Sequence, residues 1–274
     1  MIGSLPTPAT YTRVLLQAMP ANERATLLHH TGLHEDFLSY SSTMRADQQI
    51  QVFRNAQQMA TRSNWALALG KQLNVNSHGS LGFAAISAPT LGKSLETLAN
   101  FAQIRAPYLS FGFERLQDRY YFSVEPTLEL GDLEMALGEI VLQIVDSLIT
   151  VVLGNRGPGI KIMLAYHPPA HAADYSQFFT APCEFDRDIN GVELPLGLCQ
   201  IPCPLHDEQS YAASLARCHL ALAAVIDPTD AVSRVRNLLA AHFEHLETGA
   251  RNDETPTLET VVNATPNPRI FAEY

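Results

Sequence analysis

Apolar positions recur at helical spacing through the first eighty residues. Val14, Leu15, Ala18 and Met19 share one side of a helix that Pro20 interrupts. A second helix is predicted over 22–30, with Gly32 placed to close it in a left-handed cap. A third covers 46–61, with Ile50, Phe53 and Gln57 on one face, and a fourth covers 64–73, carrying Trp65 and Leu69. The pattern then changes. Residues 81–86 form a short apolar run, and Pro89-Thr90 precedes a helix over 91–105, with Thr90 as its N-cap. Two strands follow at 109–116 and 119–126, joined through Gln117-Asp118 as a hairpin. Phe111 and Phe113 alternate with polar neighbours, which gives that sheet one buried face.

Further along, a long helix is predicted over 130–154, ending at Gly154, and a strand over 160–166. A short helix over 172–179 leads to strands at 183–185 and 191–194, with the turn sequence DRDING between them. A helix over 207–225 carries Leu215, Leu220 and Leu222. This order predicts an α+β fold, in which a helical N-terminal part precedes a mostly antiparallel sheet flanked by helices. One more helix is predicted over 227–246, opened by Asp227-Pro228-Thr229-Asp230, and a Thr-, Asn- and Pro-rich tail from Thr248. The expected division is a unit over 1–226 and a linker helix with a flexible tail over 227–274.

Composition narrows the function classes. Of the 274 residues 46% are apolar and 17% charged, enough for a large core. The net charge of -10 argues against a nucleic-acid binder as the chain stands, because phosphate contacts need Lys and Arg. The N-terminus lacks the basic start and unbroken apolar stretch of a signal peptide. The most apolar window, 135–153, holds Glu139 and Asp146, both costly at the centre of a bilayer, so it reads as a buried helix. A soluble, cytoplasmic protein with no membrane partner is expected. Cys183, Cys199, Cys203 and Cys218 are expected to be free thiols packed as small hydrophobes.

Several motifs are imitated but not completed. The segment from Ser87 to Ser94 ends like a phosphate-binding loop, yet Ser87 stands where the first glycine belongs and Pro89 removes a donor amide. Helix capping explains it better. Cys199, Cys203, Cys218 and His219 offer zinc-type ligands, but prolines bracket Cys203, and adjacent helical residues point about 100° apart. His167 and His171 straddle Pro168-Pro169, and His242 and His245 lie on one helical face; without further ligands they read as exposed or locally satisfied. No nucleophile elbow, dinucleotide fingerprint or H-E-x-x-H is present. No catalytic residue, metal or cofactor is assigned, and the chain is not expected to be an enzyme.

Aromatic residues carry more. Phe101, Tyr108, Phe111, Phe113, Tyr121 and Phe122 cluster in the helix–hairpin unit, and Tyr166 ends the later strand. Core packing is their ordinary role. A small-molecule pocket has the same apolar lining with one or two polar anchors. Arg105, one turn after Phe101, is the anchor expected for a carboxylate.

Three blocks carry a family resemblance. Thr31-Gly32-Leu33 is followed by LALGKQL at 67–73; GSLGFAAISAPTLGKSLETLANF stands at 79–101; the third block runs over 164–207 from LAYHPPAH to IPCPLHD. In order and spacing, about 25–225 resembles the N-terminal sensor domain of AraC-type transcription regulators, the arabinose-binding-like domain. The resemblance implies a helix-turn-helix domain after the sensor. Val232–Arg236 with Leu238-Leu239 look like its first helix, and Thr255–Val262 like the start of its second. The pattern then departs, as NATPNPRIFAEY at 263–274 supplies no recognition helix, so the DNA-reading half is expected to be truncated here.

The resulting expectation is a ligand-responsive homodimer that senses a small molecule of unidentified class and controls DNA binding through a complete C-terminal domain. Leu215 and Leu222, one heptad apart, offer a dimer face, or equally a face packed on the protein's own sheet. A stand-alone binding protein that antagonises intact relatives is the alternative, followed by a haem sensor or an enzyme on the same fold.

Overall fold

The computed structural model describes residues 2–154 and 157–226. Strand β1 (Pro6–Pro8) leads into helices α1 (Thr10–Ala18), α2 (Ala21–Leu27) and α3 (Glu35–Tyr40). Strand β2 (Thr43–Arg45) returns to pair antiparallel with β1. Helices α4 (Ala46–Met59), α5 (Trp65–Gln72), α6 (Ser80–Ser87) and α7 (Leu91–Phe101) follow. The hairpin β3 (Leu109–Leu116) and β4 (Arg119–Pro126) precedes the long helix α8 (Leu133–Leu153). Next come β5 (Lys161–Met163), α9 (Tyr175–Phe178), β6 (Cys183–Glu184), β7 (Asn190–Pro195), α10 (Leu196–Cys199) and α11 (Glu208–Ile226).

Five strands form one sheet in the order β3-β4-β7-β5-β6, antiparallel throughout except for the β5–β6 edge pair. The fold is α+β, with helices segregated around one mostly antiparallel sheet. Local chemistry explains the elements that were predicted closely. Thr90 accepts a hydrogen bond from the Lys93 amide and so caps α7. Gly154 closes α8 at φ 69°, where a side chain would be strained. The hairpin turns through Gln117 at φ 56°, with Phe113 opposite Phe122.

Other elements differ from expectation. Helix α2 stops at Leu27, because His30 as well as Gly32 takes a left-handed conformation, at φ 60° and 68°. The run at 81–86 is the body of α6, a helix buried on most sides and so without an amphipathic period. The strand expected over 160–166 shortens to β5, and the strands flanking DRDING are not partners, since β5 lies between them. The expected helix over 227–246, the tail, the helix-turn-helix segments and the His242–His245 pair lie outside the described residues.

Helix α8 organises the core. By length and apolarity it could cross a membrane, yet 67% of its most apolar window is buried inside the fold. It packs against α5 on one side and against β4 and β7 on another. Each fully buried leucine or isoleucine on it contributes about 1.5–3 kcal/mol. Its buried Asp146 is satisfied by the Thr180 amide at 2.8 Å and hydroxyl at 2.7 Å. Helix α11 closes the opposite end by packing on α6 and on the turn after α7.

Close approach of α5 to α8 depends on Gly70, where an added Cβ would sit 2.7 Å from Gln143 Cβ and 3.0 Å from the Ile140 carbonyl oxygen. Gly70→Ala is therefore expected to lower stability by about 1–3 kcal/mol, the usual cost of overpacking, as read from the urea midpoint at constant m-value. An unchanged midpoint would show that the two helices can part without cost.

Candidate functional site

A cavity lies between α8, the end of α7 and the inner face of the hairpin. Leu137, Ile140 and Ile144 of α8 face Leu98 of α7 and Leu109, Phe111 and Phe122 of the sheet across it. Tyr11, Phe53, His78, Arg105 and Tyr108 complete the wall. About 60 Å³ is reachable by the centre of a water molecule, room for a few waters and less than a drug-sized ligand needs. A second hollow, about 140 Å³ by the same measure, shares His78, Leu98 and Ile144 with the first and continues toward Lys71 and Val151.

Arg105 enters the wall because α7 ends in a tight turn, Ala102–Ile104, which aims the next side chain inward. The residue is 8% exposed. Its Nη2 donates to the Ser77 carbonyl at 2.6 Å, and the guanidinium carbon lies 4.9 Å from the centre of the Tyr11 ring. Nε is sealed from solvent without an acceptor among the described residues. No carboxylate of the described residues forms an ion pair with Arg105. The backbone is fixed by Thr7, whose hydroxyl donates to the Arg105 carbonyl at 2.7 Å.

His78 stands beside it. Nδ1 lies 2.8 Å from the Tyr11 hydroxyl and Nε2 lies 3.3 Å from the Leu73 carbonyl. A neutral ring protonated on Nε2 satisfies both contacts, with Tyr11 donating to Nδ1. Burial and the positive charge of Arg105 push His78 down to about 4. Tyr108 donates to Gln49 Oε1 at 2.8 Å, and burial raises its hydroxyl far above the ordinary phenol value.

Of the residues singled out from sequence, Arg105, Tyr108, Phe111 and Phe122 meet at this cavity. Phe101 instead packs edge-on against His219 of α11, in a shallow cleft with Tyr211 and Leu215. Phe113 stacks on Tyr120, and Tyr121 lies opposite Glu114 and Glu193 in the sheet register. Tyr166 shares a 3.0 Å hydrogen bond with Tyr175 near the far end of the sheet. Leu215 and Leu222 are half-buried against the protein's own core. Sequence reasoning missed Tyr11, Phe53 and His78 as wall residues. Their side chains come from elements far away in the chain, and no local pattern marks them.

The histidines at 167 and 171 part company: His167 is exposed beside Asp186, while His171 is buried against Glu139. Burial raises Cys199, Cys203 and Cys218 to about 11 and Cys183 to about 12, which leaves four unreactive thiols. Among the described residues no group of three or more His, Cys, Asp or Glu side chains could hold a metal ion.

Residues 23–203 match the model of the arabinose-binding domain of AraC transcription regulators, N-terminal. The chain is 27% identical over 210 residues to the ornithine utilization regulator of Pseudomonas aeruginosa, covering 75% of this chain. It spans 61% of the length of that relative. Its fold is also similar to the crystal structure of the transcriptional regulator CdpR from Pseudomonas aeruginosa, with a TM-score of 0.54, 16% identity, and coverage of 78% of this chain and 68% of the other.

His78 makes the site sensitive to acid. Unfolded histidine takes up its proton near 6.5 and the folded one near 4, so folding loses stability as pH falls between those values and levels off below. The stability difference between the wild type and His78→Asn, followed by urea denaturation, should shrink by about 3 kcal/mol from pH 6.5 to 4. A pH-independent difference would mean that the buried ring titrates normally.

Proposed function

The chain belongs to the AraC family of transcription regulators, through the arabinose-binding domain at their N-terminal end, and from that membership we propose that residues 1–226 form an effector-binding and dimerisation unit. A small molecule carrying a carboxylate on an apolar body occupies the cavity between α8 and the hairpin. Arg105 supports this reading. It is a buried cation with one donor committed to Ser77, one donor without an acceptor and no carboxylate partner among the described residues. A desolvated guanidinium is costly unless hydrogen-bonded and paired, and a carboxylate satisfies both needs at once. The relative named for ornithine, itself a carboxylate-bearing molecule, supports the same ligand class here.

The mechanism is a shift of populations. The cavity is narrow, so an effector is accommodated by an arrangement in which α8 and the hairpin stand further apart, and the hollow behind His78 and Ile144 extends the site. Preferential binding to that arrangement biases two copies of the chain toward one relative placement. The homodimer acts in the cytoplasm and passes the bias to a DNA-binding domain that follows residue 226 in the complete regulator. Residues 227–274 serve as the linker and the beginning of that domain. With Leu215 and Leu222 half-covered by the core, the dimer face on α11 combines their open edges with the exposed Ala212 and Ala216. The family and its relatives are transcription regulators, and no catalytic step is assigned to this chain.

Thermal unfolding with pentanoate, compared with pentanamide, tests the anchor. At about 100 times its dissociation constant the acid should stabilise the wild type by about 2.7 kcal/mol, while the amide is markedly weaker. Arg105→Gln should weaken pentanoate at least about tenfold, the cost of losing a charge-assisted pair. Equal stabilisation by acid and amide, or an unchanged response in the variant, rejects Arg105 as the anchor. Assembly is checked separately by sedimentation equilibrium, which should give twice the chain mass; a monomer at every concentration removes the dimer from the scheme.

A further inference from the structure

We propose a second ligand site, on the far side of α8 from the central cavity, that binds a primary ammonium group carried on a short aliphatic body. It is a pocket of about 310 Å³, by the water-centre measure, bounded by α8, the segment joining α4 to α5, and the loop before α9. It is several times roomier than the central cavity, and its position and donor set are independent of the Arg105 reading.

The floor is Glu139, whose side chain is 1% exposed. Both of its hydrogen bonds fall on one oxygen. Oε1 accepts from His171 Nε2 at 2.6 Å and from the Tyr175 hydroxyl, which is itself in contact with Tyr166 at 3.0 Å. Oε2 accepts from no described residue, and Glu139 contributes to the wall of the pocket. An anion with half of its acceptor capacity unused is a site for a strong donor with positive charge. Burial outweighs the two hydrogen bonds and holds this carboxyl above the ordinary carboxylate range, and a cation at Oε2 would favour its charged form.

The rest of the wall selects the ligand body. Trp65, half-buried, offers a ring face to an ammonium or its carbon chain, and Met135 adds a flexible apolar surface. Arg62 stands at the exposed rim, placed to meet a carboxylate at the other end of the ligand. Monoamines and amino acids share the ammonium, and Arg62 separates them.

Trp65 is the sole tryptophan of the chain, so its fluorescence reports on this pocket directly. Titration with n-butylammonium should give a saturable change, 5-aminopentanoate should bind more tightly, and pentanoate should leave the signal flat. Arg62→Ala should reduce 5-aminopentanoate to the level of butylammonium. Glu139→Gln keeps an acceptor for His171 and Tyr175 but removes the charge, and should weaken both amines at least about tenfold. Ala170→Phe, at the exposed rim away from the core, should block both and provides the test if Glu139→Gln fails to fold. No saturable response in the wild type, or amine binding undiminished in either Glu139→Gln or Ala170→Phe, overturns the site.

Discussion

Helix α8 has to satisfy two opposed demands, and the remainder of the fold is arranged around the compromise. Its 21 residues are apolar enough to seek burial on nearly every side, yet Glu139, Gln143 and Asp146 are carried into the interior with them. Buried polar groups need partners, and for Glu139 and Asp146 the sequence supplies them from a distance. Thr180 serves Asp146, and His171 with Tyr175 serves Glu139. Those bonds pin the loop over 167–180 to the helix and so determine where the short strands β5 and β6 can form. The hydrophobic term drives the helix inside; the polar terms decide what lies against it.

Arg105 is the same problem on the other side of α8, left open. A turn tied down by Thr7 and Tyr108 holds a guanidinium in an apolar wall, where the nearest company is a tyrosine ring and a histidine kept neutral. A core selected for stability alone would replace such a group with carbon. Its position next to a hollow is what the proposed carboxylate anchor rests on.

Features fixed by a few neighbouring residues were legible in the sequence: the Thr90 cap, the Gln117-Asp118 hairpin, the Gly154 stop and the α+β class. The resemblance to AraC-type sensors rested on blocks spread over most of the chain, and the match over residues 23–203 agrees with it. Features fixed by tertiary surroundings were not legible. Helix α6 has apolar residues on every side, so its pattern carries no period, and α3, β1 and β2 are too short to leave one. Arg105 could be proposed because it follows an aromatic helix, but Tyr11 and His78 join it across 94 and 27 positions of chain, the differences of their numbers from 105. Glu139 and His171 are 32 residues apart, and neither has a neighbour that announces the other.

The two hollows are back to back across a single rod. Leu137 and Ile140 face one of them, Met135 and Glu139 the other. Successive positions on a helix turn by about 100°, so the register of a residue on α8 decides which chamber its side chain belongs to, and a change on one face spares the wall of the other.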